Sequence, residues 1–297
     1  MIHFKEFYSQ KLSLFEKHLK DSFPEVPLPV AILEEAMKYS LFAGGKRIRP
    51  ILLLTTLECA GKPPTIGLPF ACALEYIHTY SLIHDDLPCM DDDHLRRGLP
   101  TSHIKFGEDI ALLAGDALLT HSFSLLSGGV AQKHVRPDIL IKIIHLLSNQ
   151  AGLFGMITGQ VGDIKKVQCS SPQESLDFIH RNKTGALITA SIQIGALLAG
   201  VNEQSYQHLE KFGQEIGKCF QIQDDILDEV GNEEELGKPT GSDSKNEKLT
   251  YPSVFGLSES QRLATESFNQ AIFSLEQSGL QTNRLKEIAE YILNRIH

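Results

Sequence analysis

No run in this sequence alternates apolar and polar residues long enough to make a half-buried strand, whereas apolar residues recur at helical spacing along most of its length. That pattern predicts an all-α fold of about ten or more helices. The predicted helices cover about 2–20, 30–42, 46–60, 68–86, 108–126, 137–152, 155–167, 174–182, 184–198, 203–229, 258–277 and 282–296. Prolines and glycines punctuate them: Pro24, Pro27 and Pro29 close the first, Gly44 and Gly45 separate the second from the third, and Pro172 marks a helix start. With 297 residues and no shift in composition between halves, the chain reads as a single domain over 1–297.

One stretch stands apart from the helical pattern. In His84-Asp85-Asp86-Leu87-Pro88-Cys89-Met90-Asp91-Asp92-Asp93-His94-Leu95-Arg96-Arg97-Gly98, five carboxylates fall within nine positions. Carboxylates this close repel one another unless positive charge sits among them, and oxygen ligands of this kind suit a divalent cation. Asp85 and Asp91 are six apart, about 240° round an ideal helix, so they converge only if the helix unwinds between them. Pro88 supplies that break, because it lacks an amide donor and clashes with the carbonyl of His84. Downstream, Asp224 and Asp228 stand four apart on one helix face, with Asp225 at its edge.

The net charge of −9 argues against a general nucleic-acid or membrane-surface binder. An anionic substrate would therefore need local cations. One such place is Gly44-Gly45-Lys46-Arg47-Ile48-Arg49-Pro50, where two glycines let the backbone turn tightly before a helix start flanked by three cations, an arrangement suited to an anion. The five cysteines form no CxxC pair, and their odd number suits reduced thiols in a cytoplasmic protein. The uncharged run from Thr184 to Asn202 is long enough to raise a membrane reading, but its Thr, Ser, Gln and Gly content predicts a buried helix and no stable membrane insertion.

As a pair, the two acidic clusters resemble the aspartate-rich motifs of trans-isoprenyl diphosphate synthases. Thr79-Tyr80-Ser81-Leu82-Ile83-His84-Asp85-Asp86-Leu87-Pro88 is similar to the bacterial farnesyl diphosphate synthase branch, and the resemblance extends from Gly44 to Pro252. It implies helices around a deep central cavity, usually in a homodimer, with three Mg²⁺ ions bridging both motifs to an allylic diphosphate. The metal residues it implies are Asp85, Asp86, Asp91, Asp224, Asp225 and Asp228. By the same comparison Lys46, Arg49, His78 and Arg97 hold isopentenyl diphosphate. Arg96, Lys183, Thr184, Gln221, Lys238 and Lys248 serve the allylic diphosphate, and Gln160 and Asp163 lie near the cavity. The sequence departs from the family pattern at His94 and Leu249, neither of which is assigned to metal or diphosphate.

The implied reaction is ionisation, condensation and elimination, giving (2E,6E)-farnesyl diphosphate from isopentenyl diphosphate with dimethylallyl and geranyl diphosphate. Tyr80, five residues before Asp85 and about 7.5 Å down the helix, is expected to limit product length. The alternatives are a geranylgeranyl diphosphate synthase and a non-catalytic subunit of a prenyl synthase heteromer. Loss of one aspartate motif would signal the latter, and both are intact here. A terpene cyclase would carry a differently spaced second motif, and a plain cation-binding protein would leave the basic segments unexplained.

Overall fold

The computed structural model describes residues 2–24, 29–230 and 248–295. They are overwhelmingly helical, and the expected long helices are present with their ends moved by a few residues. The chain groups into two compact units, Met1–Leu54 with Pro64–Ile144, and Thr55–Pro63 with His145–His297.

The first unit is built on the helix Leu68–Asp85, which starts after Gly67 with Pro69 in its first turn and is buried on almost every side. A helix apolar all round belongs in a core rather than at a surface. It packs chiefly against Glu108–Ser127, and the helices Ile2–Asp21 and Ala31–Leu41 add further cover. In the second unit the same central role falls to Ala186–Ala199. This helix contains most of the uncharged run expected to be buried, and nearly all its residues are. It ends on Gly200, whose φ of 68° is the left-handed cap that closes many helices. Its main neighbour is the long helix Glu203–Val230, which packs in turn on Leu257–Glu276.

Two segments, Glu108–Ser127 and Pro137–Ile164, are long and apolar enough to cross a membrane. The second is interrupted by turns between Ala151 and Met156. The sequence pattern did not reveal six smaller features. These are the short helices Ser102–Phe106, Gly129–His134 and Tyr251–Phe255, the 3₁₀ turn Pro64–Gly67, a π turn at Arg181–Gly185, and a hairpin pairing Leu95–Arg96 with Leu99–Pro100. The cysteines Cys59, Cys72, Cys89, Cys169 and Cys219 are all free thiols.

Candidate active site

In the first unit the long helix ends at Asp85, as Pro88 requires. The chain then turns back, and the amide of Asp91 donates to the carbonyl of Asp85 at 2.9 Å. The expected convergence of these residues is therefore made by the backbone itself. Asp86 takes another course. It is buried, and both of its oxygens accept from the Arg96 guanidinium at 2.5 to 2.9 Å. Burial raises the Asp86 pKa to about 6, and Arg96 opposes that rise.

Arg96 and Arg97 are adjacent but diverge. Arg97 and Gly98 form the two-residue loop of the hairpin, with φ of 55° and 74°, the left-handed pair that such tight hairpins require. Arg96, within a strand, points to Asp86 and lies 3.6 Å from Asp93. Arg97 instead donates to the carbonyl of Gly44. The guanidinium lies so close to Gly45 that a Cβ there would come within 2.9 Å of its central carbon. Gly45, at φ of 125°, is thus required for both its backbone and its lack of a side chain.

The cation set at the Ile48–Cys59 helix start differs from the expected trio. Lys46 is exposed, but Arg47 is buried and turned inward, bonded to Glu16 at 2.8 Å, Glu75 at 2.6 Å and the Leu41 carbonyl. Arg47 therefore serves the core, unlike its neighbours Lys46, which is exposed, and Arg49, which is half-buried. Arg49 meets His78 Nε2 at 3.3 Å. Burial, then Arg49, Arg97, Arg96 and Arg47 in turn, push the His78 pKa well below the usual imidazole range. A neutral His78 accepts from Arg49 through Nε2 and carries its own proton on Nδ1, since guanidinium can only donate. Beside these groups a cavity of about 30 Å³, the size of one water, is lined by Thr79, Asp86, Arg96, Arg97 and Thr101 among others.

Tyr80 is buried, and its hydroxyl has no hydrogen-bond partner among the described residues. Burial pushes its pKa up to about 12.

In the second unit Lys183 and Thr184 lie in the π turn, a local widening that recurs at functional positions. Lys183 is paired with Asp163 at 2.7 Å. The Thr184 hydroxyl donates to Gln221 Oε1 at 2.5 Å, and Gln221 Nε2 donates to Asp225 at 2.8 Å. The other Asp225 oxygen accepts the amide of Tyr251 at 2.9 Å. Asp225 is thus held by a relay that begins at Thr184. Asp224 is half-buried and bound by Arg295 at 2.6 Å, while Asp228 is buried one turn on. Beneath the relay His180 is buried, and burial lowers its pKa to about 4. Its ring lies 5.3 Å from that of Tyr251, whose hydroxyl donates to Asp177 at 2.7 Å.

Sequence reasoning gave no role to Arg295, His180 or Tyr251, because Arg295 and Tyr251 reach carboxylates distant in sequence and His180 is set apart only by its burial. Lys248 is half-buried and Gln160 half-exposed at the surface of this unit, while Lys238 lies outside the described residues. Among the described residues no three His, Cys, Asp or Glu side chains come close enough to hold an ion on protein atoms alone. Mg²⁺ is commonly held by one or two carboxylates, with substrate phosphate and water completing its shell, and the all-oxygen donors here fit that mode.

Known proteins resemble this chain in sequence and in fold. The chain is 45% identical over 267 residues to a farnesyl diphosphate synthase of Geobacillus stearothermophilus, covering 90% of each. It is also 45% identical over 265 residues to a geranylgeranyl diphosphate synthase of Cyanophora paradoxa, covering 88% of this chain and 87% of that one. A crystal structure of a geranyltransferase from Helicobacter pylori, complexed with magnesium and isoprenyl diphosphate, superposes with a TM-score of 0.84 at 36% identity, over 97% of this chain and 96% of that one. The Polyprenyl synthetase sequence profile matches residues 30–292, a span that includes both acidic motifs and the basic residues Lys46, Arg49, Arg96 and Arg97, and the chain belongs to that family.

Proposed function

We propose that this chain is a Mg²⁺-dependent trans-prenyltransferase, joining isopentenyl diphosphate head-to-tail to dimethylallyl and then geranyl diphosphate to give (2E,6E)-farnesyl diphosphate. The observation that carries this reading is the divergence of Arg96 and Arg97. A condensation of two diphosphates must hold two anionic groups apart while their carbon ends meet, and here two neighbouring cations point to different surroundings. Arg97, with Lys46, Arg49 and neutral His78, binds isopentenyl diphosphate. Arg96, with Lys183, Lys238 and Lys248, binds the allylic diphosphate.

Three Mg²⁺ ions, with Asp85, Asp91, Asp224 and Asp228 as principal ligands and Asp86 and Asp225 completing the acidic set, would supply positive charge to the departing diphosphate. Arg96 and Lys183 stabilise the same developing charge, and Asp86 and Asp163 hold those two cations in place. The Thr184 and Gln221 oxygens offer dipoles to the allylic cation. The double bond of isopentenyl diphosphate attacks that cation, and the released diphosphate accepts the proton lost in the final step. Tyr80 limits the growing chain.

Residues 1–297 act as one catalytic domain in this reading, since the family profile runs through both compact units. A cytoplasmic homodimer is the working form, with the exposed Leu112 and Leu113 of the Glu108–Ser127 helix as apolar surface for the contact. The alternative product is geranylgeranyl diphosphate, the product named for the Cyanophora relative, which is as similar to this chain as the farnesyl diphosphate synthase of Geobacillus. Incubation of the purified protein with Mg²⁺, isopentenyl diphosphate and dimethylallyl diphosphate, followed by dephosphorylation and sizing of the alcohols, decides between them. A dominant fifteen-carbon alcohol is expected; twenty carbons selects the alternative, and no condensation rejects the enzyme reading.

A further inference from the structure

We propose that His84 is a positioning residue for product length, acting through Tyr80 and seated by Gly115; this rests on the reading of Tyr80 as the limit to chain growth. Tyr80 and His84 stand four apart on one helix face, and their rings meet edge-on at 5.6 Å and 79°. No hydrogen bond fixes the Tyr80 phenol among the described residues, so packing alone holds its ring. His84, by contrast, is anchored. Its Nε2 donates to the Leu112 carbonyl at 3.0 Å on the neighbouring helix, with Asp116 Oδ1 at 3.9 Å.

Gly115 makes that anchor possible. A Cβ at this position would lie 2.1 Å from His84 Nε2 and 2.4 Å from Cδ2, inside any allowed contact. The glycine thus leaves a notch in which the imidazole sits, one turn from the carbonyl it binds. The consequence reaches beyond packing. A growing prenyl chain that presses on Tyr80 can pass only if the phenol ring swings aside, and the seated imidazole blocks that swing from one face.

The test is a cycle of His84→Ala, Gly115→Ala and the double variant, each checked for its thermal midpoint and assayed for product size, with Tyr80→Ala alongside. Gly115→Ala displaces a side-chain tip rather than backbone, so a folded protein is expected. Each single variant should raise the ratio of longer to fifteen-carbon product about fivefold, ~1 kcal/mol, the order of an aromatic pair's preference, and the double variant should add nothing further. A merely structural role would lower the midpoint and leave the product ratio unchanged. If His84→Ala is folded and its products are unaltered while Tyr80→Ala lengthens them, the inference fails and the Tyr80 reading stands. If Tyr80→Ala also leaves them unaltered, the Tyr80 reading fails with it. A folded His84→Ala that condenses nothing, or single variants whose shifts add in the double, would equally overturn the proposal.

Discussion

The backbone carbonyl of Asp85 receives the amide of Asp91 at 2.9 Å, so one main-chain hydrogen bond ties together two residues that an unbroken helix would set about 240° apart. Pro88 makes this possible by denying the helix its next turn. With Pro88→Ala the helix can continue, and Asp91 then moves away from Asp85. We expect kcat/KM to fall roughly 10- to 100-fold, the scale of a displacement of about 1 Å at a reacting group, with little change in thermal midpoint because Pro88 itself is exposed. Steady-state kinetics over a Mg²⁺ titration check this, and unchanged activity would remove Pro88 from the argument.

Arg47 lies between two proposed substrate ligands yet faces the core. Its side chain is fully covered, and its partner Glu75 is 1% exposed, with a second oxygen that has no hydrogen-bond partner. Arg47→Met leaves that carboxylate buried without its cation, at a cost of about 3–5 kcal/mol. Adding Glu75→Leu removes the orphaned charge and should recover most of the loss. Urea unfolding of the two variants measures both, and equal losses in single and double variants would contradict the account.

The long helices were legible because burial imposes a period on apolar residues, and periodicity survives whatever the helix touches. The turn at Pro88 was legible for a similar reason, since an imino acid and a helical angle suffice to locate it. The direction of a charged side chain leaves no such trace. Lys46, Arg47 and Arg49 read as one basic string, and only the placement of Glu16 and Glu75 distinguishes the buried member. Arg295 likewise reaches Asp224 from the C-terminal helical region without any local signal. The π turn at Arg181–Gly185 was hidden because a single wide turn hardly alters the apolar pattern, and the hairpin strands, two residues each, are too short to show alternation.

The relay from Thr184 through Gln221 to Asp225 predicts a kinetic effect without a large loss of stability. Thr184→Val keeps the shape of the side chain but removes the donor to Gln221 Oε1. Gln221 is then free to reorient, and Asp225 loses the orientation of one of its partners. Partners of this kind behind a metal-binding carboxylate are typically worth 10- to 100-fold, and a loss of about tenfold in kcat/KM for the allylic substrate is expected. The KM for isopentenyl diphosphate should stay within about twofold, a change of ~0.4 kcal/mol. A loss confined to isopentenyl diphosphate would place Thr184 on the wrong substrate.

His180 predicts a pH dependence of stability. Its folded pKa, about 4, lies below the ordinary 6.5 chiefly because burial disfavours the imidazolium, so between these values the unfolded chain binds a proton that the folded chain refuses. Stability from this group is therefore intact above pH 6.5 and is lost as pH falls toward 4, by up to roughly 3 kcal/mol. His180→Phe keeps a ring against Tyr251, removes the titration and also removes a buried Nδ1 that has no partner. Urea midpoints measured without divalent cation from pH 7 to pH 4 should fall less steeply in the variant than in the parent chain, while at pH 7 the variant should be no less stable. Parallel pH profiles would show that His180 is not what makes the second unit sensitive to acid.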